Sequence, residues 1–454
     1  GSLGISLLII LLIPTGIYFT IRTKFLQIRL FPDMVRALVA KKEHKDSLST
    51  FQTLIVSTAT RVGMGNLVGV VAAVSAGGAG AVFWMWVMAV IGSASAFIES
   101  TLAQVYKTKD GKDFRGGPSY YMEKALGKRW MGVLFSVLLI ICFAYGFNGL
   151  QSYNMSSALE YYIPGYSESS YPMIVGLILA VGTGLIIFGG VHRIGFITSV
   201  MVPIMAGAYL LMGLFTIVTH LPQLPGIFAM ILSEAFDFQA IFGGMAGSAV
   251  VIGIKRGLFS NEAGMGSAPN AAASASVSHP AKQGMVQVIS VFIDTLLICS
   301  ATAMMLLLSG VQGEAGVLDG IPFVQKAISA NVGTWGIHFI TASIFAFAFS
   351  SLIGNYYYAE SNILFIKNNK VLLFVFRCTC LLAVFLGAQA DFSLVWNLAD
   401  ITMGCMAIVN IIAILLLGNI ALKVLKDYET QKKAGKNPVF KAENVGIKNT
   451  DCWK

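Results

Sequence analysis

Apolar runs long enough to cross a bilayer recur along almost the whole chain, separated by short polar stretches. Because a helix rises 1.5 Å per residue, about 20 apolar residues cross the hydrocarbon layer. The pattern predicts an all-helical (all-α) integral membrane protein with eleven transmembrane helices and a polar tail. The runs lie at 3–21, 51–76, 79–106, 130–160, 172–190, 193–219, 239–268, 283–310, 334–366, 371–388 and 391–422.

Two of these runs are interrupted by the same tripeptide, Gly-Met-Gly, at residues 63–65 and 264–266. A helix broken at membrane depth leaves backbone N–H and C=O groups without intrahelical partners, which is tolerated only where protein, water or a ligand replaces them. Paired interruptions in corresponding segments are typical of the binding site of a secondary transporter. The flanking polar residues are Thr60, Arg61 and Asn66 at the first interruption and Arg256, Ser260, Asn261 and Glu262 at the second.

Ten runs remain when the first is set aside, and they divide into two sets of five. Each interruption falls in the first helix of a set, and five is odd, so the second set enters the membrane from the opposite side. That arrangement is an inverted repeat, although a shared tripeptide also arises by chance. The predicted divisions are an extra N-terminal helix (1–24), repeat one (48–219, broken at 60–66), repeat two (239–422, broken at 259–266) and a cytoplasmic tail (423–454).

Composition and charge agree with a membrane protein and predict its orientation. The 454 residues are 56% apolar and 12% charged, which excludes an ordinary soluble domain. Lysine and arginine concentrate in the loops 22–50 and 107–130 and in the tail, whereas the alternate loops contain almost none. The positive-inside rule therefore predicts a plasma-membrane protein with its N-terminus outside and its C-terminus in the cytoplasm. The net charge of +9 indicates topology, and attraction to anionic lipid headgroups, but not a nucleic-acid partner.

Motifs for other classes of function are missing from the sequence. The six cysteines lack metal-ligand spacing, so neither disulfides nor a zinc site are expected. No catalytic triad, zinc-protease motif or phosphate-binding loop occurs, which argues against an enzyme. A channel is a further alternative, but no ring motif or filter sequence is present. The run 3–21 lacks a preceding basic residue and a following cleavage site, so we expect a retained helix and not a signal peptide.

The residues around both interruptions resemble a known family. The runs TRVGMGNL at 60–67 and RGLFSNEAGMG at 256–266 are similar to the signature of the alanine or glycine:cation symporter family. The segments RGGP at 115–118 and PVF at 438–440 extend the resemblance over nearly the whole chain. The run VGMGN at 62–66 is also similar to the unwound segment of the neurotransmitter:sodium symporters. The resemblance implies sodium-coupled uptake of alanine or glycine on the leucine-transporter type of fold.

A coupling site for Na⁺ follows from that resemblance and from the chemistry of the ion. Sodium is a hard cation that prefers oxygen ligands, and in this fold one site joins the first helix of repeat one to the third helix of repeat two. We expect a single ion, because the charge of Arg61 disfavours a second one beside Asn66. Alternatively, the serines of the set bond back to their own helix. The predicted ligands are carbonyls of Ala59 and Val62 and hydroxyls of Ser350 and Ser351.

An amino-acid zwitterion needs partners of both charges. Free N–H groups at the start of a half-helix attract a carboxylate, and glycine lets a ligand approach the backbone closely. The amides of Met64 and Gly65 are therefore assigned to the substrate carboxylate. Alternatively, the glycines only allow close helix packing. The other predicted substrate residues are Thr60 and Gly63, the carbonyls of Phe259 and Ser260 with Asn261 for the ammonium group, and Asn148, Gln151 and Trp396 as pocket walls, with Phe147 and Asn397 beside them.

Charged side chains inside the predicted spans are costly unless they are paired, and they are candidates for function. Glu262 can face the substrate amine, the coupling cation, or one of the cations Arg61, Lys255 and Arg256. Glu99 is expected to be a buried, hydrogen-bonded structural carboxylate. The predicted mechanism is symport by alternating access, carried out by a monomer. The alternative replaces sodium with a proton carried by Glu262 or Glu99.

Overall fold

The computed structural model describes residues 2–39, 49–111, 113–237, 248–312, 320–390 and 392–453. Within these ranges the chain is mainly helical, which confirms the predicted all-α membrane fold. The helices up to residue 157 are α1 (Ser2–Arg22), α2 (Leu26–Arg29), α3 (Phe31–Leu38), α4 (Thr50–Arg61), α5 (Val70–Gly77), α6 (Gly80–Val105), α7 (Pro118–Lys124), α8 (Arg129–Leu139) and α9 (Asn148–Ser157). The later helices are α10 (Tyr171–Ile187), α11 (Val191–Thr219), α12 (Leu224–Ala235), α13 (Ala249–Asn261), α14 (Pro269–Ser274), α15 (Pro280–Val291), α16 (Ser300–Leu307), α17 (Gly320–Val332), α18 (Trp335–Ile366), α19 (Lys370–Gly387) and α20 (Phe392–Lys433).

Seven helices in the described ranges are long and apolar enough to cross a membrane, and a bent pair makes an eighth span when it is counted as one. Two further predicted spans correspond to shorter apolar helices, Leu7–Arg22 and Tyr171–Ile187. The predicted span 239–268 begins outside the described residues, and its described part is divided by the second interruption. The seven are Gly80–Val105, Arg129–Ser157, Phe196–Thr219, Pro280–Leu307, Trp335–Ile366, Lys370–Gly387 and Ser393–Lys433, and the bent pair is Thr50–Arg61 with Gly65–Gly77.

In the part of the chain that the structure describes, three spans contain π-helical segments, at Gly65–Gly69, Ile140–Phe147 and Phe292–Cys299. A π-turn widens the helix, and such turns occur frequently at functional sites. Apolar periodicity predicts a helix at each place but does not distinguish the π form from the α form. The widened segments include Asn66 and Asp294, two of the polar residues of the site described below.

Helix α13 packs closely against α6 through two glycines four residues apart. A Cβ atom at Gly257 would lie 3.2 Å from the Cβ atom of Met88, and one at Gly253 would collide with the backbone of Ala81. Small residues at this spacing let the backbones of membrane helices approach each other closely. Such packing stabilises helix pairs in lipid, where little hydrophobic force drives helices together. The packing holds the end of α13, where the second interruption begins, against the middle of α6.

A short β-hairpin follows α6 where the sequence predicted only a loop. Strand β1 (Thr108–Asp110) pairs antiparallel with β2 (Asp113–Arg115), and Thr108 lies opposite Arg115. The Arg115 guanidinium forms an ion pair with the Asp110 carboxylate at 2.5 Å. The hairpin lies at the end of α6 that the charge pattern assigns to the cytoplasm.

The polar tail folds back onto the helix ends. Its indole at Trp453 donates to the carbonyl of Gln104 at 2.7 Å, and the amide of Phe440 donates to the carbonyl of Ser278 at 2.9 Å. The rings of Phe440 and Trp453 are in contact, with centroids 5.4 Å apart. The tail therefore covers the end of α6 and the loop between α14 and α15.

Candidate functional site

The first interruption separates α4 from the π-helical turn that precedes α5. Helix α4 ends at Arg61, Val62 leaves helical geometry at ψ 83°, and the helix resumes at Gly65 with a bend of 54°. The break lies within the predicted 60–66. It leaves polar backbone groups at the centre of a span, because the turn at Val62 and Gly63 interrupts the regular hydrogen-bond ladder.

The second interruption begins later than predicted. Helix α13 is regular through Asn261 and ends because Glu262 adopts a left-handed conformation at φ 56°. The left-handed glycines Gly264 and Gly266 continue the break, and the chain becomes helical again at Pro269. The predicted start at 259 is therefore wrong by about one turn. Phe259 and Ser260 nevertheless belong to the last turn, whose carbonyls have no intrahelical partner.

Arg61 links the two interruptions. Its Nε donates to the carbonyl of Asn261 at 2.7 Å, and its Nη1 donates to Oε1 of Gln287 at 2.9 Å. The side chain is 1% exposed, so both bonds form away from water. The cation thus sits at the C-terminal end of α13, where the helix dipole is negative.

Glu262 does not form an ion pair with any of the three cations considered from the sequence, within the described ranges. Its carboxylate accepts a hydrogen bond from the hydroxyl of Ser267. Lys255 and Arg256 instead pair with Asp400 on α20, at 2.6 and 3.2 Å. Of the alternatives that the sequence left open for Glu262, a salt bridge to one of these cations is not formed among the described residues. Asp400 pairs with Lys255 and Arg256, and Arg61 bonds to Asn261 and Gln287.

Glu99 connects α6 to the second interruption. Its buried carboxylate accepts from the amide of Gly264 at 3.1 Å and from Nδ2 of Asn410 at 2.7 Å. Asn410 also donates to the carbonyl of Gly264 at 2.9 Å. These bonds replace partners that the broken helix would otherwise supply.

Asp294 is a central residue that the sequence reasoning missed. Its buried carboxylate accepts from Nδ2 of Asn66 at 2.7 Å, from the hydroxyl of Ser260 at 2.8 Å and from that of Thr295 at 2.8 Å. It therefore joins the first interruption to the end of α13. The signal was available, because Asp294 is the only charged residue in the predicted span 283–310.

One of the two predicted serines reaches the first interruption. The hydroxyl of Ser351 donates to the carbonyl of Ala59 at 3.0 Å, and a Cβ atom at Gly63 would collide with that hydroxyl. Ser350 instead bonds back to the carbonyl of Phe347 at 2.9 Å. Ser350 thus follows the alternative of bonding back to its own helix, because neighbouring residues on a helix point about 100° apart. Val62, also predicted, turns out of the helix in the same break.

The two interrupted helices touch at Gly65. A Cβ atom there would lie 2.9 Å from Cα of Ser260 and 3.2 Å from Cδ1 of Phe259. The packing alternative therefore has direct support at this glycine. Within the described residues, the amides of Met64 and Gly65 nevertheless donate to no protein acceptor, whereas the amide of Gly63 donates to the carbonyl of Arg61 and to Oδ1 of Asn66.

Aromatic rings pack around the end of α13. The ring of Phe259 lies 5.4 Å from that of Trp396 and 5.1 Å from that of Phe147. The guanidinium of Arg256 stands 4.5 Å from the Trp396 ring centroid, a cation–π contact. Trp396 and Phe259 are thus brought together as the sequence suggested, and Arg256 packs against both.

The remaining predicted residues are buried and polar. Thr60 bonds to the hydroxyl of Tyr358 at 2.9 Å, and Oδ1 of Asn148 accepts from Nδ2 of Asn355 at 3.0 Å. Gln151 lies near Gly63, since its Nε2 would be 3.5 Å from a Cβ atom there. Thr60 and Asn148 are thus occupied by neighbouring helices, whereas Gln151 faces the first interruption.

Several buried polar atoms around the interruptions have no protein partner in the described part of the chain. Such atoms are costly unless water or a ligand pairs with them. Two are hydrogen-bond donors on residues at the two breaks, and one is an acceptor that faces the first break. The fourth is the side-chain NH₂ group of the glutamine that accepts from Arg61. They are Nη2 of Arg61, Nδ2 of Asn261, Oε1 of Gln151 and Nε2 of Gln287.

Known proteins with similar sequences are membrane carriers. The amino-acid carrier protein AlsT of Bacillus subtilis is 48% identical over 98% of this chain and 94% of its own length. The probable sodium/glutamine symporter GlnT of the same organism is 49% identical, covering 99% and 93%. The putative sodium/proton-dependent alanine carrier protein YrbD, also from Bacillus subtilis, is 42% identical, covering 98% and 94%.

The chain is similar in fold to a solved transporter structure. A crystal structure of a mutant of the Eremococcus coleocola manganese transporter superimposes with a TM-score of 0.53 at 13% identity, covering 88% of this chain and 84% of that one, which is a likeness of fold alone. Residues 2–442 match the sodium:alanine symporter family. The match confirms the resemblance seen in the motifs and identifies a transporter and not an enzyme. The chain belongs to the sodium:alanine symporter family.

Proposed function

We propose that this protein couples the entry of sodium to the uptake of a small neutral amino acid, alanine or glycine, by alternating access around a central site. The observation that carries the proposal is the meeting of the two interrupted helices, which Arg61 and Asp294 connect through buried hydrogen bonds. Unpaired hydrogen-bond donors and an unpaired acceptor remain beside that junction. A zwitterion with a bound cation satisfies such a set better than an apolar ligand does.

The architecture we propose for this function has eleven transmembrane helices, an extra N-terminal helix and two inverted five-helix repeats of the leucine-transporter type. Its support is that α4 and α13 are both interrupted near the residues expected for the first helix of each repeat. The protein would lie in the plasma membrane with its C-terminus in the cytoplasm, as the positive-inside rule favours, and would work as a monomer.

The substrate would lie between the two breaks. Its carboxylate would accept from the amides of Met64 and Gly65 at the start of the second half-helix, aided by the helix dipole. Its ammonium group would donate to Oε1 of Gln151 and to carbonyls at the end of α13, where Asn261 terminates the helix. The contact between Gly65 and Phe259 leaves little room for a long side chain, which favours alanine or glycine over glutamine.

Sodium would bind where Ser351 meets the end of α4. The hydroxyl of Ser351 and the carbonyl of Ala59 are already 3.0 Å apart, and the turn at Val62 exposes a further carbonyl. A hard cation draws its ligands from such oxygens. Binding there would stiffen the first interruption and so favour the substrate-loaded form, which is a coupling of two ligands.

Changing Ser351 to alanine is expected to raise the half-saturating sodium concentration about 10-fold, the factor that corresponds to about 1.4 kcal/mol. The maximal rate should change much less, because substrate contacts remain. The matched control is Ser350→Ala, the adjacent serine whose hydroxyl bonds back to Phe347. Sodium titrations of alanine uptake measure both variants, and equal responses of the two would contradict the assignment.

The function itself is tested by uptake of radiolabelled alanine into proteoliposomes with sodium, lithium or proton gradients imposed separately. A sodium gradient should drive accumulation that unlabelled glycine suppresses and unlabelled glutamine suppresses much less. Suppression mainly by glutamine would show that glutamine is the preferred substrate. Accumulation without any cation gradient would contradict symport.

A proton-coupled transporter of the same fold is the second candidate. The favouring observation is that three buried carboxylates, Glu99, Glu262 and Asp294, surround the interruptions within electrostatic range of Arg61. Uptake that persists without sodium, follows a proton gradient and disappears in Glu262→Gln or Glu99→Gln would favour this mechanism.

A further inference from the structure

Helix α20 is longer than a membrane span requires. Its 42 residues correspond to about 63 Å at 1.5 Å per residue, about twice the thickness of the hydrocarbon layer. The apolar run within it ends at residue 422, so the excess lies on the side that the charge pattern assigns to the cytoplasm. We call residues 423–433 the cytoplasmic extension, and residues 434–453 the remainder of the tail.

One face of the cytoplasmic extension binds the segment that precedes α4. Glu429 forms an ion pair with Arg29 at 2.7 Å, and Lys432 pairs with Asp33. Asp33 is 4% exposed and also pairs with Arg36 on its own helix, at 3.7 Å. These bonds attach α2 and α3 to the extension, because Arg29 is the last residue of α2 and Asp33 lies in the first turn of α3.

Helix α3 in turn packs against the first half of α4. The side chains of Ala37, Leu54 and Val286 form a buried apolar cluster that joins α3, α4 and α15. Leu54 belongs to the half of α4 that precedes the first interruption. Because closely packed interiors transmit displacements, a movement of that half-helix acts on α3 and therefore on the bonds to the extension.

Another face of the cytoplasmic extension binds the loop that follows α14. Oδ2 of Asp427 accepts from Nε2 of His279 at 3.1 Å, and the ring centroids of Tyr428 and His279 are 5.3 Å apart. Nδ1 of His279 accepts from the amide of Ala281 at 3.2 Å, so the proton of the neutral ring lies on Nε2 and faces the carboxylate. Since residues two apart on a helix point about 200° apart, Asp427 lies nearly opposite Glu429.

The remainder of the tail reinforces the second face. The ring of Phe440 packs edge-on against the buried imidazole of His279, with centroids 5.3 Å apart, and its amide donates to the carbonyl of Ser278. The hydroxyl of Ser278 donates to the carbonyl of Pro438 at 3.0 Å. The loop 275–279 directly follows α14, so these contacts hold the helix that comes after the second interruption.

We propose that the cytoplasmic extension and the remainder of the tail form a clasp that holds the cytoplasmic halves of both interrupted helices together and loosens when the site opens to the cytoplasm. The inference rests on the alternating access proposed above. A site between two broken helices reaches the cytoplasm only when the half-helices on that side separate. One helix is bonded to the segments adjoining both, on nearly opposite faces, so the two segments keep a fixed separation while both sets of bonds hold.

The test is hydrogen–deuterium exchange of the full chain purified in detergent, followed by mass spectrometry without transport. Lys432→Ala removes a partly exposed ion pair but leaves Asp33 with Arg36, and should accelerate exchange of amides 50–58 in α4 about threefold. Asp427→Ala removes the carboxylate that pairs with the buried His279, and should accelerate exchange of amides 270–274 in α14 about 10-fold. Each variant should affect mainly the segment bonded to its own face.

The clasp predicts that ligands reverse the effect. Sodium and alanine together should slow the accelerated exchange towards that of the unmodified protein, because ligands that bind the closed form better shift the population towards it. The matched control is Lys426→Ala with Glu443→Ala, which removes one exposed charge of each sign from the extension and the remainder of the tail. Exchange in both segments should be unchanged in this control.

Three results would overturn the clasp. They are unchanged exchange in both single variants, equal acceleration in the control, and acceleration that sodium and alanine leave unaltered in a protein whose unmodified form shows sodium-driven uptake. The last result would mean that the helix ends fray outside the transport cycle. Missing sodium-driven uptake in the unmodified protein would contradict the proposed function instead, while the exchange rates without ligand would still report on the clasp.

Discussion

Replacing Arg61 with alanine is expected to reduce alanine uptake by at least about 100-fold, equivalent to about 2.7 kcal/mol. The guanidinium donates to the carbonyl of Asn261 and to Gln287, so its removal leaves two buried acceptors unpaired. It also removes the positive charge that faces Glu99 and Glu262. Leaving a buried acceptor unpaired typically costs about 1–3 kcal/mol, so the free energy of unfolding should fall as well.

The measurement is sodium-driven uptake in proteoliposomes together with thermal unfolding of the purified variant. Arg61→Lys keeps the charge but cannot reproduce two diverging bonds from a planar group, so we expect it to recover stability more than transport. The control is Arg377→Ala, which breaks a partly buried ion pair with Glu360 between α18 and α19, helices that carry neither interruption. Unchanged uptake in Arg61→Ala would mean that the guanidinium does not connect the two breaks in the transport cycle.

The sequence predicts the position of the first interruption well, because its causes are local. Two glycines weaken a helix, and polar residues are costly in contact with lipid, so the break at Val62 is indicated by the pattern. The second break is displaced towards Glu262 because its position depends on which residue takes the left-handed conformation. Within this break the backbone of Gly264 bonds to Glu99 and Asn410, which come from distant spans that a local pattern does not reveal.

Pairing between distant segments is what the sequence does not reveal. Lys255 and Arg256 are near Glu262 in the sequence, but both pair with Asp400, and no local pattern indicates that competition. Likewise, Ser350 and Ser351 are equivalent in composition and differ only in the helix face on which they lie. Family resemblance suggested the pair, and the packing of α18 against α4 distinguishes between them.

Asp294 carries the second large expected effect, because it accepts hydrogen bonds from both interrupted segments. Changing it to asparagine replaces a carboxylate that accepts three donors with an amide that has one acceptor oxygen and two donors of its own. At least one of Asn66 and Ser260 then loses its partner and faces another donor. We expect uptake to fall about 100-fold, with a loss of unfolding free energy of about 1–3 kcal/mol for an unsatisfied buried group.

The control for Asp294 is Thr295→Val, which removes one of the three donors but leaves both links between the interruptions. Its uptake should stay within a few-fold of the unmodified protein, while Asp294→Asn should lose uptake even under saturating sodium and alanine. Binding of alanine to the purified variants, measured by calorimetry, separates a lost site from a blocked cycle. Equal uptake by the two variants would show that Asp294 is only a structural carboxylate, because the link between Asn66 and Ser260 would then be dispensable for transport.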